Sequence, residues 1–251
     1  MYLLYVDVLG MKSRWRTGGP DAARAAHHTL DLVIRRALEA VPFAKAVEGG
    51  IQSDAAALIF HEVQQAVEVG RLIFRDSFRC SGSPEVGGER FWIRGVIRQM
   101  ATTSLESTDA LPGVASGVSK RTFSEDLMDA IHVEQSGYKG QRLVIQESLV
   151  EPDVVDAFKI PIGGAVFHPL ATLRYIPAVA GYRDVLWMFP PSGGNETAEE
   201  WRLMKVAMQN RLRWASGGGD EEFLQAAATQ VLFAGCETIY VHLIENAAGP
   251  A

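Results

Sequence analysis

Apolar residues fall along this chain in short runs of strand length, separated by longer stretches in which they recur at helical spacing. Tyr2 to Val8, rich in Tyr, Leu and Val and closing at Gly10, predicts a buried strand. After a polar loop from Lys12 to Pro20, Asp21 to Ala40 repeats Ala, Leu, Val and Ile with helical periodicity, and Asp21 beside Pro20 marks a start. Val41 to Val47 predicts a second strand, Gly49-Gly50 a turn or bulge, and Asp54 to Phe60 a third strand, with Asp54 near the hairpin tip. Gln64 to Phe78 is helical in pattern, Cys80 to Glu89 has the Gly/Pro/Ser content of a loop, and Phe91 to Ile97 predicts a strand. The segment 101–119 is irregular. Ser124 to Glu134 predicts a helix capped by Ser124, with Leu127, Met128 and Ile131 facing inward. Gly137 and Gly140 end it, and Arg142 to Ile145 forms a short strand.

That order, strand, helix, strand, strand, helix, strand, helix, strand, predicts an α/β (α+β) fold in which helices back a mixed sheet with a ferredoxin-like βαββαβ core. Past residue 151 the chain turns to short strands punctuated by Pro and Gly, the best being Leu170 to Tyr175 and Val185 to Phe189. Two helices follow, Ala198 to Trp214 and Glu221 to Glu245, with a strand over Thr238 to Ile244 as an alternative ending. We read residues 1–150 as the core and 151–251 as a helical C-terminal elaboration of the same domain, with Trp187, Trp201 and Trp214 packing it against the sheet or a second subunit.

Composition narrows the function. A hydrophobic content of 47% over 251 residues supports a sizeable core. A net charge of −6 argues against a protein that lives on nucleic-acid backbone and leaves room for a local basic pocket. Two cysteines, Cys80 and Cys236, make no disulfide framework and fit a reducing cytoplasm. No apolar run approaches the ~20 residues of a membrane span, and the first residues lack a signal-peptide pattern.

Two carboxylates carry the candidate chemistry: Asp7 in Tyr5-Val6-Asp7-Val8-Leu9-Gly10, and Asp54 in Ser53-Asp54-Ala55. A carboxylate in an apolar strand is costly to desolvate, whereas two brought together seat a divalent cation. The plainer readings are a strand-end aspartate satisfied by turn N–H groups and a hairpin aspartate that forms its turn. No Walker or dinucleotide fingerprint occurs among the glycines.

In order, Tyr5-Val6-Asp7-Val8-Leu9-Gly10-Met11, Ser53-Asp54-Ala55, Ile93-Arg94-Gly95-Val96-Ile97 and the stretch Ala130 to Ile145 resemble the class III nucleotidyl cyclases. More narrowly, they are similar to the bacterial pyrimidine cyclases of the Pycsar antiphage systems. The resemblance spans about residues 2 to 150. It implies a dimeric enzyme with two Mg²⁺ or Mn²⁺ ions held by Asp7, Asp54 and the backbone carbonyl of Val8. It also implies that backbone N–H groups around Gly10, Met11 and Lys12 cradle the phosphates of a nucleoside triphosphate. Arg94 is the expected basic contact to base or phosphate, with Lys120 and Arg121 as further polyphosphate contacts. The resemblance implies conversion of UTP or CTP to the 3′,5′-cyclic monophosphate and pyrophosphate, and a downstream cyclic-nucleotide-binding effector in antiviral defence.

Several positions depart from the purine branch. Its base-selecting lysine has Gly50 in its place, its helix asparagine and arginine have Met128 and His132, and a strand-end glycine has Met100. The alternative is therefore a catalytically silent cyclase-like domain that binds a nucleotide or a partner protein. An unrelated metal-binding α/β protein is a third possibility.

Overall fold

A computed structural model describes residues 1–41, 48–52, 54–80, 91–101, 125–136, 138–150, 160–162, 165–167, 179–189, 196–217 and 219–247. The elements are β1 (Tyr2–Leu9), α1 (Met11–Ala40), β2 (Glu48–Gln52), β3 (Ala55–Phe60), α2 (Val63–Cys80), β4 (Trp92–Gln99), α3 (Glu125–Gln135), β5 (Leu143–Gln146), the hairpin β6 (Ile160–Ile162) and β7 (Ala165–Phe167), β8 (Tyr182–Val185), α4 (Glu196–Ala215) and α5 (Asp220–Ala247).

Six strands form one mixed sheet in the order β2-β3-β1-β4-β5-β8, whose first four members have the split βαβ arrangement. β1 lies between β3 and β4, antiparallel to both, while β4 and β5 are parallel. Alternation along β1 divides its side chains between two cores. Leu4, Val6 and Val8 point to the side packed by α1, α2, α4 and α5. Leu3 and Tyr5 point to the opposite side, where Leu127 and Ala130 of α3 cover β1 and β4. Asp7 shares the parity of Leu3 and Tyr5 and lies on the α3 side.

Several expected elements differ. Helix α1 begins at Met11, so the polar stretch Lys12 to Pro20 is helical apart from a break at Gly19, whose φ of 69° is the left-handed region that glycine adopts freely. Gly49 and Gly50 lie within β2, paired with Leu58 and Ala57, and the hairpin turns through Asp54. A Cβ on Gly49 would come within 2.7 Å of Leu58 Cδ2, so close strand-to-side-chain packing explains that glycine. Met128 is 47% exposed, because α3 presents Leu127, Ala130 and Glu134 to the sheet and Met128 to the other side. The strand expected at Val185 to Phe189 overlaps β8 only at Val185, where β8 ends; Leu186 to Phe189 are buried beyond it. α5 continues unbroken through Thr238 to Ile244, with Cys236 and Tyr240 buried. The expected strands at 42–47 and 170–175, the cap Ser124 and the segment 102–119 lie outside the described residues.

The C-terminal helices are tied to the sheet by buried arginines and glutamines. Arg211 of α4 donates to the carbonyls of Phe91 and Ser77 at 3.0 and 3.1 Å, its guanidinium 4.4 Å from the Phe78 ring centre and 4.5 Å from that of Trp92. Arg71 donates to the Phe189 carbonyl, and Arg75 pairs with Glu200. From α5, Gln225 Oε1 accepts from the N–H of Gly140 and Thr229 Oγ1 from that of Gln141. These bonds satisfy backbone groups that would otherwise be buried unpaired. Of the three tryptophans only Trp214 packs on the sheet among the described residues, stacking on Trp92 of β4; Trp187 lies against Phe74 and Phe78 of α2, and Trp201 stacks on Phe233 and Tyr240 within the C-terminal region. Among the described residues no helix is long and apolar enough to cross a membrane.

Candidate functional site

The hydrogen bonding of three strands brings Asp7 and Asp54 together. Asp7 pairs with Ala55 of β3 and with Arg94 of β4, and the N–H of Val8 donates to the Asp54 carbonyl at 2.8 Å. Two residues 47 positions apart in the sequence thus sit at one end of the sheet because the β2–β3 hairpin turns beside the end of β1. At that same end β1 passes through Gly10, whose φ of 79° and open surroundings suit glycine, directly into α1. Gly10 makes no side-chain cap, and the first N–H groups of α1 have no acceptor within the helix. Met11 and Lys12 therefore begin a helix beside the carboxylates and do not lie in a loop.

The electrostatics are those of crowded negative charge. Burial, followed by the charges of Glu134 and Asp54, pushes the Asp7 carboxyl up to about 8, against a smaller opposing pull from Arg94. Burial raises Glu134 as well, opposed by Arg94 and reinforced by Asp54. Tyr5, on the same face, is raised above its ordinary range by burial and then by Asp7.

Glu134 did not figure among the sequence candidates. It lies on α3 at 4% exposure, and its Oε1 is 2.6 Å from Arg94 Nη2. Arg94 also donates through Nη1 to the Tyr138 carbonyl at 2.7 Å, with its guanidinium 5.3 Å from that ring's centre. The arginine expected to reach for a nucleotide is thus engaged with α3 and the turn after it. A signal for Glu134 was present in the sequence: Leu127, Ala130 and Glu134 fall on one helical stripe, which places a carboxylate on the inward face.

Gly50 occupies the row of Ala57 and Tyr5, two strands from β1, on the Asp7 side of the sheet. His132 is exposed on the outer side of α3, one turn from Met128. Met100 is buried against the α3-side core. Lys120 and Arg121 lie outside the described residues.

The donors here suit a hard divalent cation, which prefers carboxylate and carbonyl oxygen. Asp7 and Asp54 provide such oxygens at adjacent backbone positions, and a cation would offset the like-charge crowding that raises Asp7. Among the described residues, no group of three or more His, Cys, Asp or Glu is placed to hold a metal ion. Two carboxylates would thus need backbone, water or ligand oxygens to complete a shell.

A neutral residue at position 7 should relieve this crowding. A carboxyl near 8 in the folded chain against about 3.9 when unfolded leaves the folded state binding more protons between those values, so stability falls as pH rises through that window. Asp7→Asn is therefore expected to raise the melting temperature by an amount that grows from about pH 4 and levels off above about pH 8. Thermal denaturation across that range checks it; a lower melting temperature at pH 8 would contradict it.

A comparison with protein-family models returned no match, nor did a comparison with curated proteins. Among solved structures, the chain is similar to the guanylate cyclase domain of RhGC from Catenaria anguillulae in complex with GTP. That likeness has 13% identity over 73% of this chain and 92% of that one, at a TM-score of 0.48. It is similar to the guanylyl cyclase Cya2, at 10% identity over 73% and 90% of the two chains and a TM-score of 0.47. An adenylate cyclase from Trypanosoma brucei in its monomeric state gives 12% identity over 73% and 86%, with a TM-score of 0.44.

Proposed function

We propose that this chain is a metal-dependent nucleotidyl cyclase that converts a pyrimidine nucleoside triphosphate, UTP or CTP, to its 3′,5′-cyclic monophosphate and pyrophosphate. The observation that carries the reading is the junction of Asp7 and Asp54, joined by the bond from the Val8 N–H to the Asp54 carbonyl beside the start of α1. In this reading Asp7, Asp54 and the Val8 carbonyl would hold two Mg²⁺ or Mn²⁺ ions. Such ions would supply Lewis acidity there, favouring ionisation of the 3′-hydroxyl and offsetting the charge of the pyrophosphate leaving group.

The rest falls to positioning and charge. The N–H groups that open α1 at Met11 and Lys12 face the same end as the carboxylates, and helix N-termini favour phosphate. They would orient the β- and γ-phosphates, while Asp7 and Asp54 would hold the cations that offset the charge of the α-phosphate, so that the 3′-oxygen can line up with the α-phosphorus. Lys120 and Arg121 would add charge to the polyphosphate. Arg94, held by Glu134 and the Tyr138 carbonyl, stands across the β1–β4 pair from Asp7. Gly50 puts no side chain where the purine branch has its lysine, which favours a base read by other groups. The active unit would be a homodimer in the cytoplasm, its product a second messenger for a cyclic-nucleotide-binding effector in antiphage defence.

The exposed pair Met128 and His132 favours a second reading, a silent cyclase-like domain that binds nucleotide without turnover. Incubating the chain with each ribonucleoside triphosphate and Mn²⁺, with product identification by mass spectrometry, separates the two. A cyclic pyrimidine monophosphate in excess over cyclic purines is expected. Nucleotide binding with no cyclic product would establish the silent reading, and cyclic purines as the main product would overturn the base assignment.

A further inference from the structure

Arg94 faces Asp7 directly across the antiparallel β1–β4 pair. Side chains so placed have Cβ atoms about 4.5–5.5 Å apart, within reach of a salt bridge. A guanidinium fork is well matched to a carboxylate, so the default expectation is an Asp7–Arg94 pair. The structure has a different one. Arg94 Nη2 is 2.6 Å from Glu134 Oε1, Nη1 donates to the Tyr138 carbonyl, and the Tyr138 ring lies beneath the guanidinium. Asp7 makes no ion pair or side-chain hydrogen bond among the described residues.

Glu134 is almost fully buried, and it approaches from α3. Among the described residues it does not join the two aspartates as a three-membered metal-ligating group. Its contact is with the arginine.

We propose that Glu134 is a positioning residue whose ion pair with Arg94 holds the guanidinium off Asp7, keeping that carboxylate open to a divalent cation. The inference rests on the metal-seat reading of Asp7 and Asp54 given above. With Glu134 uncharged, Arg94 loses its charged partner in a buried setting and turns to the nearest remaining carboxylate, Asp7. The lone pairs that would bind metal are then taken by guanidinium N–H groups. Removing the arginine as well leaves Asp7 open again, so the two substitutions compensate each other.

The test uses the full chain and Mn²⁺ alone, titrated without nucleotide and followed by the electron paramagnetic resonance of free Mn²⁺. Glu134→Gln, which preserves side-chain shape, should raise the Mn²⁺ dissociation constant about 10- to 100-fold, the range typical for residues that orient a metal ligand. Adding Arg94→Met should return it to within a few-fold of the wild-type value. A purely structural Glu134 would give a variant that the second substitution leaves impaired or worsens. A crystal structure of Glu134→Gln is expected to show the Arg94 guanidinium within hydrogen-bond reach of Asp7, and a guanidinium still held at Tyr138 and away from Asp7 overturns the inference. Wild-type Mn²⁺ binding that Glu134→Gln leaves unchanged, or that the double variant fails to recover, overturns this inference alone. Absence of Mn²⁺ binding by the wild-type chain overturns the metal-seat reading and this inference with it.

Discussion

Asp54→Ala is expected to lower cyclic-nucleotide formation by at least about 10³-fold, roughly 4 kcal/mol of barrier, while leaving the fold in place. Asp54 sits in the hairpin turn and is partly exposed, so truncation creates no cavity and strands no buried partner. Its backbone carbonyl, which accepts from the Val8 N–H, is untouched by the substitution. On the proposed function, the variant would lose one of the two carboxylates of the metal seat, where the other ligands would be backbone, water or substrate oxygens. A thermal melt within a few degrees of wild type, together with lost turnover, is the expected combination. Full activity in a folded Asp54→Ala protein would remove Asp54 from the site. Asp7→Asn should lose activity comparably yet be more stable at pH 8, the inverse relation between stability and function expected where like charges are crowded for a purpose.

The largest effect on stability is expected far from the reaction, at Arg142→Met. Arg142 is 2% exposed and binds Asp184 of β8 in a two-pronged pair, Nε to Oδ1 at 2.7 Å and Nη2 to Oδ2 at 2.8 Å. This pair joins the strand that closes the core sheet, β5, to the strand added by the C-terminal region. Methionine leaves the Asp184 carboxylate buried without its charge partner, which costs about 3–5 kcal/mol. Urea denaturation should show it, and a loss under about 1 kcal/mol would contradict the account. Arg142→Met with Asp184→Leu should recover most of the loss, because a matched apolar pair removes both desolvation costs.

The first half of the fold was legible because its strands are short apolar runs with β-branched residues and its helices carry inward stripes. β1, α2, β4 and α3 all lie within two or three residues of their sequence-based bounds. Where the sequence misled, a tertiary contact decided. Gly49-Gly50 has turn composition, yet packing of Gly49 under Leu58 places both glycines inside β2. The β-branched residues near the end of α5 suggest a strand, but Cys236 and Tyr240 bury one helical face against the α2-side core. The short hairpin β6–β7 has no distinctive pattern in its six strand residues.

The candidate site was legible in its acids and opaque in its wiring. Asp7 and Asp54 stand out as carboxylates in apolar runs, and only a hairpin register could bring them together. Arg94 was visible as a cation at the right place on β4, but its direction depends on an acceptor 40 residues away on α3. A carboxylate on a helix reads as a solvated residue until the stripe Leu127, Ala130, Glu134 is traced onto the sheet.

The proposed reaction is a single chemical step, attack of a ribose 3′-oxygen on the α-phosphorus of its own triphosphate with departure of pyrophosphate. Phosphorus-31 NMR of the chain with UTP or CTP and Mg²⁺ follows it directly. One pyrophosphate released for each 3′,5′-cyclic monophosphate formed is the expected result. A triphosphate that stays intact, or one hydrolysed to a linear monophosphate or diphosphate with no cyclic product, would contradict it.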